Sequence, residues 1–146
     1  MTAIVEAGYL PPVRAVMARL AGSVDESEVA RWAELLDRAF AWIPDGTEVV
    51  VLSNLHGYEP ASIDAHEAMR AVLPARLAAH GFRTSLIDVA GGSIDVRTNP
   101  RIVISKVAHV HHDATKMASY EATAGSERER YFHDPAYANA WLLFDP

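Results

Sequence analysis

Two groups of side chains in this chain have the types and spacing for chemistry. The first is His109, His111, His112 and Asp113. Two imidazoles and a carboxylate make a ligand set for zinc or nickel. On a strand, His109 and His111 share a face, because successive side chains alternate. His112 then falls at the turn. No His-Glu-x-x-His spacing accompanies them. The plainer reading is a polar strand end followed by a capping aspartate. A metal site at His109, His111 and Asp113 is the weaker alternative, and no cofactor is expected.

The second group is His56, Gly57, Tyr58 and Glu59, followed by Ser62, Asp64 and His66. It comes directly after a continuous apolar run. Open α/β sheets bind ligands beyond the carboxyl ends of their strands. His56, Glu59, Asp64 and His66 could form an acid/base cluster there. The plainer reading is a solvated loop whose acids suit a helix N-terminal dipole. Ser62 fits an ordinary N-cap. A phosphate on it would also be stabilised by the free amides of a helix start. The candidate contacts for a partner or ligand are His56, Tyr58, Glu59, Ser62 and His66, with Ser62 the phosphorylation candidate. No residue is assigned a catalytic role.

Other chemistries are excluded by the pattern. There is no cysteine, so disulfides, thiol nucleophiles and thiolate metal sites are absent. This fits a reducing compartment, and a cytoplasmic location is expected. The formal net charge of -6 opposes a nucleic-acid partner. No apolar run is long enough to cross a bilayer. The first ten residues carry Glu6 and no Lys or Arg, so a secretory n-region is not expected. Ala90-Gly91-Gly92-Ser93 follows an apolar segment but opens no apolar-periodic helix, so phosphate-loop and dinucleotide fingerprints fail. A Gly-x-Ser-x-Gly elbow is missing as well.

The elements that must position these groups follow from periodicity. Ile4 to Tyr9 and Val13 to Leu20 are predicted strands, separated by the bend that Pro11-Pro12 imposes. Ser23 and Glu26 have capping-box spacing. Val29, Trp32, Ala33, Leu36, Phe40 and Ile43 then follow a helical stripe, with Trp42 off it. Pro44-Asp45-Gly46 ends that helix. Glu48 to Leu55 reads as a central strand covered on both faces. A second helix runs from Ser62 towards His80, with Ile63, Met69, Val72, Leu73 and Leu77 inward and Gly81 beyond its end. Pro74 should kink or break it.

Phe82 to Val89 reads as a strand, Ala90 to Pro100 as a loop and Arg101 to Val110 as a strand. That loop is short for a parallel crossover, which leaves the order of the two strands open. Asp113 caps a helix through Ala124 that Gly125 stops. Glu127 to His133 is a last strand. Asp134-Pro135 opens a terminal helix whose aromatic side, Tyr137, Trp141 and Phe144, should be buried. The alternation argues for one α/β domain over 1–146, with a mixed, mostly parallel sheet of about five strands and helices packed on it.

This order, with Gly22 and Ser23 to Glu26 at the first helix start, Trp32, Pro44, Val49 to Leu55, and Arg130, Phe132, Ala140, Trp141 and Leu142, resembles the SpoIIAA-like branch of the STAS superfamily. That fold is related to CRAL-TRIO lipid-binding domains. The resemblance implies a small cytoplasmic module that binds proteins or apolar molecules. Antagonists in the family carry an Asp-Ser-Ser/Thr-Gly phosphorylation motif at the second helix. Here the segment reads Ala61-Ser62-Ile63-Asp64, with the serine but neither flanking signal. The segment Phe82 to Pro100 is additional length. The leading expectation is a non-enzymatic interaction or regulatory module, possible as a homodimer. The alternatives are a carrier of a lipophilic molecule in a pocket under the second helix, and a metal-dependent enzyme using the histidine clusters.

Overall fold

A computed structural model describes residues 2–86 and 94–144. Among the described residues one six-stranded sheet forms the centre, in the order Ile4–Leu10, Ala15–Val24, Glu48–Leu55, Val103–His111, Glu129–Phe132, with Tyr58–Pro60 paired to Ala15–Val24 off that path. β1 (Ile4–Leu10) and β2 (Ala15–Val24) form an antiparallel hairpin closed by a 3-10 turn at Pro11–Val13. β3 (Glu48–Leu55), β5 (Val103–His111) and β6 (Glu129–Phe132) add to it in parallel. The strands are joined by α1 (Glu26–Ala41), α2 (Ile63–Ala79) and α3 (Ala114–Ala124), and α4 (Pro135–Phe144) ends the chain. The mixed, mostly parallel α/β sheet is the expected class.

Each face of the sheet has its own core. Val16, Ala18 and Leu20 of β2 and Val49 and Val51 of β3 meet Trp32, Leu36 and Phe40 of α1 and Met69, Leu73 and Leu77 of α2. The intervening residues, Met17, Val50 and Leu52, turn to the other face and pack against Ala138, Trp141 and Leu142 of α4. This two-sided burial is why β3 reads as an unbroken apolar run.

The β5 register contains one irregularity, and it matters for the site. Val49 faces Ile104, yet Val50 faces Lys106, so Ser105 is an extra residue in the ladder. Because side chains alternate with period two, one added residue exchanges the faces of everything after it. Ile104 and Val107 therefore share the α1/α2 face. His109 and His111 follow Val107 on that face by the same alternation.

Several expectations are corrected. The first helix is capped by Asp25 and not Ser23. Glu28 N–H donates to Asp25 Oδ1 at 2.9 Å, and Glu28 Oε1 accepts from Asp25 N–H at 3.0 Å. Ser23 stays in β2, because Gly22, at φ +77°, donates its N–H to the Gly57 carbonyl and prolongs the strand alongside β4 (Tyr58–Pro60). A Cβ at Gly22 would lie 2.8 Å from the Thr2 carbonyl oxygen. Pro74 does not break α2. Ile63 is 78% exposed rather than inward, since it stands at the first turn. In α4, Ala138, Trp141 and Leu142 form the buried side, while Tyr137 and Phe144 are exposed, with Phe144 at 80%. Phe82 to Leu86 is not a strand. The rest of that predicted strand, 87–89, and the Ala90 to Ser93 segment lie outside the described residues.

The cap assignment separates two substitutions of similar appearance. Asp25→Ala is expected to lower the melting temperature by removing the carboxylate that accepts the Glu28 N–H. Ser23→Ala, an exposed change away from the cap, is expected to stay within about 0.5 kcal/mol. Thermal denaturation of the two variants checks this.

Candidate functional site

The C-terminal halves of the parallel strands carry polar residues on the α1/α2 face. Ser53 and Leu55 of β3 stand in register with His109 and His111 of β5. On the far side, Glu129 and Tyr131 of β6 stand beside Val107 and His109. The polar pairs meet where the helices above begin to separate.

Glu129 is the centre of this group and is 3% exposed. Its Oε2 lies 2.7 Å from His109 Nε2 and accepts the Thr84 hydroxyl at 2.5 Å. Its Oε1 accepts the Ser85 backbone N–H at 2.8 Å and the Ser85 hydroxyl as well. Four donors fill the four lone-pair sites of a carboxylate. Burial alone would raise this acid, but the hydrogen bonds from His109 and Ser85 and the attraction of His109 outweigh it and bring the pKa down to about 2. Tyr131 stacks on His109 at 4.7 Å, and its hydroxyl lies 3.2 Å from the Ser85 hydroxyl. Burial pushes the Tyr131 phenol well above its usual value, so it stays protonated. The network ties residues 84–85 down onto β5 and β6, in place of the ladder expected of a strand there.

Beside this network a cavity of about 450 Å³ opens between α2 and α3. Its apolar wall includes Trp32, Leu55, Met69, Leu73, Leu86 and Met117. From α2, the residues at four-residue spacing, His66, Arg70 and Pro74, line one flank, and Lys116 and Tyr120 of α3 line the opposite one. Pro74 has no N–H to give the Arg70 carbonyl, so this flank of α2 lacks one rung of its hydrogen bonding. His109, His111 and Tyr131 form polar parts of the floor.

Burial holds two imidazoles of the cavity, His111 and His66, towards their neutral forms. His111 Nδ1 accepts the Asp113 backbone N–H at 3.0 Å, which leaves its proton on Nε2. Burial first, and then the charges of His112 and Lys116, lower its pKa to about 4. Burial and the nearby Lys116 and Arg70 also lower His66. Tyr58, pushed up to about 12 by burial, places its hydroxyl 3.3 Å from His66 Nδ1.

The structure divides the sequence candidates. Tyr58 and His66 line the cavity, and Tyr58 is buried rather than part of an exposed loop. His56, Glu59 and Ser62 are exposed and outside the cavity lining. Ser62 caps α2, its hydroxyl accepting from Ala65 N–H at 3.0 Å. His109 and His111 do share a face, but His109 is held by Glu129, and Asp113 Oδ1 accepts the Lys116 N–H as the cap of α3. His112 Nδ1 accepts the Gly57 N–H. Among the described residues no three His, Asp or Glu side chains group as a metal-ligand set. The sequence reading missed Glu129, Tyr131, Thr84 and Ser85 as a network. Its signal was an acid two residues before Tyr131, on the inward side of a buried strand.

No protein-family model matches the sequence, and no curated protein matches it. Among solved structures the chain is similar to an uncharacterized protein from the DUF3478 family with a SpoIIAA-like fold, from Shewanella loihica PV-4. The likeness covers 96% of this chain and 93% of that one, with a TM-score of 0.55 and 15% identity. The α/β domain therefore has a SpoIIAA-like neighbour in fold, as the resemblance implied.

Two pH windows follow from the site. His111, with its folded pKa depressed from 6.5 to about 4, refuses a proton that the unfolded chain accepts. Its contribution to stability is present above 6.5 and declines as the pH falls towards 4. Glu129, lowered from 4.5 to about 2, contributes above 4.5, and that contribution is lost as the pH falls towards 2. Melting temperatures measured across pH should decline in both windows, and His111→Gln should make the upper decline shallower, leaving the part due to His66 and His80, while sparing the lower. Glu129→Gln turns an amide NH2 towards donors that now meet a carboxylate oxygen and is expected to cost about 1–3 kcal/mol in chemical denaturation.

Proposed function

We propose that this protein is a non-enzymatic binding module of the SpoIIAA-like type that takes up a small, largely apolar molecule between α2 and α3. The observation that carries the reading is the cavity itself. Its volume of about 450 Å³ falls within the range of small-molecule sites, roughly 300–1,000 Å³. Aliphatic and aromatic side chains with a few directed donors are the usual lining of such sites. The protein's most deeply engaged acid supports a role in binding. Glu129 has all its lone pairs occupied, so a substrate proton finds no free acceptor on it. A cysteine-free chain is at home in the cytoplasm, which belongs to the same proposal.

A docking role for a protein partner is a second reading. It is favoured by Ile63, a large apolar side chain exposed beside Ser62 at the start of α2. Glu59 and His56 are exposed in the connection before it. A regulatory module could combine the two, with cavity occupancy altering this corner of α2. Tyr58, being core, does not contribute exposed surface to such contact.

Extraction of the purified protein with organic solvent, followed by mass spectrometry, is expected to release a stoichiometric small apolar compound, or the emptied protein to bind an apolar fluorescent probe. Ala75→Trp places an indole at the exposed rim of the cavity. It should abolish probe binding with little change in melting temperature. Retained binding at full affinity would remove the cavity as the site. For the second reading, size-exclusion chromatography of Ile63→Glu is expected to show loss of any self-association seen in the parent protein.

A further inference from the structure

We infer that the molecule held between α2 and α3 is a single-chain amphiphile with an anionic head, and that the head sits at the cavity mouth against Lys116 and Arg70 with the His111 Nε2–H behind it. The inference rests on the proposed binding role of the cavity and adds the chemical class of its occupant.

Among the described residues the charges lining the cavity have one sign. Arg70 and Lys116 are the ionised residues of the described lining, and no described aspartate or glutamate is among them. In a chain with 19 acidic and 13 basic residues, two described cations without a described lining acid run against the overall balance. Glu129 is near, but it lies beneath His109 and its lone pairs are filled.

The two cations border the same part of the cavity. The positive field of Lys116 reaches both His66 and His111, and that of Arg70 reaches His66, opposed by Glu67 at His66 and by Asp113 at His111. Both are exposed, so the charge they would pair with stays close to water. Deeper in, Trp32, Met69, Leu73 and Met117 are buried and carry no charge. The gradient from charged rim to apolar floor fits a molecule with a headgroup and a tail. A neutral hydrocarbon would leave the rim cations unused, and a cationic amphiphile would be repelled.

His111 sharpens the sign. With Nδ1 occupied by the Asp113 N–H, the nitrogen left for a ligand is a donor. Lysine, arginine and this tautomer of histidine offer only donors. Carboxylates and phosphates are the acceptor-only heads that satisfy such a set. A fatty acid and an alkyl phosphate share that chemistry.

Titration calorimetry with dodecanoate, dodecyl phosphate, dodecanol and dodecyltrimethylammonium, each below its micelle concentration, tests the inference. Either anionic probe should bind at least about tenfold more tightly than dodecanol, as expected for a charge-assisted hydrogen bond at a partly exposed site. The preferred anion identifies the head as carboxylate or phosphate. Lys116→Met and Arg70→Met should each lower the ratio of anion to dodecanol affinity and reduce the salt sensitivity of anion binding. Equal affinity for dodecanol and both anions overturns the assignment of the head and leaves the cavity as an apolar site. Tighter binding of the cationic probe overturns it equally. Failure of all four probes to bind would instead count against the cavity reading on which the inference stands.

Discussion

A carboxylate taken out of water costs several kcal/mol unless fixed dipoles and charges replace its hydration. Glu129 meets that demand with donors from two separate stretches of chain. His109 comes from β5, and Thr84 and Ser85 come from the segment after α2. Satisfying the acid therefore requires β6 to lie beside β5 and residues 84–85 to fold down over both. This one constraint fixes the edge of the sheet and one side of the cavity at once. The stacking of Tyr131 on His109 then holds the imidazole flat against the floor. The network is specified as a unit, because a missing member leaves a buried polar group without a partner.

The cavity is a product of strand polarity and of one irregularity. Parallel strands bring their carboxyl ends to one side, where the following loops and helix starts gather. β3, β5 and β6 do so here, and the polar ends of all three converge. The added residue at Ser105 decides which side chains arrive. Without it, alternation would turn His109 and His111 to the α4 face and bring Ala108 and Val110 to the helices. The apolar requirement of the α4 core would then have been violated by two imidazoles. The bulge resolves both demands within one strand.

The framework was legible because its signals are local. β3 matched at both ends because a continuous apolar run between turn residues has few other readings. The α1 stripe from Val29 to Ile43 and the caps Ser62 and Asp113 were legible for the same reason. The cap of α1 was misplaced by two residues, since Ser23 and Asp25 each precede a glutamate at the right distance and only the extra pairing of β2 with β4 chooses between them. Tyr137 and Phe144 follow a helical interval as well as Trp141 does. What distinguishes them is which flank of α4 meets the sheet, and that is a tertiary fact. Phe82 to Leu86 has strand-like residues, but Thr84 and Ser85 answer to Glu129, more than forty positions away. No window of sequence contains both parties. The candidate site suffered most, because a cavity between two helices is defined by space, and only Tyr58, His66, His109 and His111 could be singled out by residue type.

The sheet divides the molecule into two apolar compartments, and the three tryptophans are distributed unequally about that partition. Trp32 borders the cavity with its indole N–H donating to the Glu6 carbonyl at 3.2 Å. Trp141 lies across the sheet, under the Lys106 ammonium. Trp42 stands in water at the end of α1. The protein thus carries three native fluorophores in three different solvents. A guest of the proposed kind, entering between α2 and α3, would change the surroundings of the first, while the second would report on the opposite layer and the third on neither.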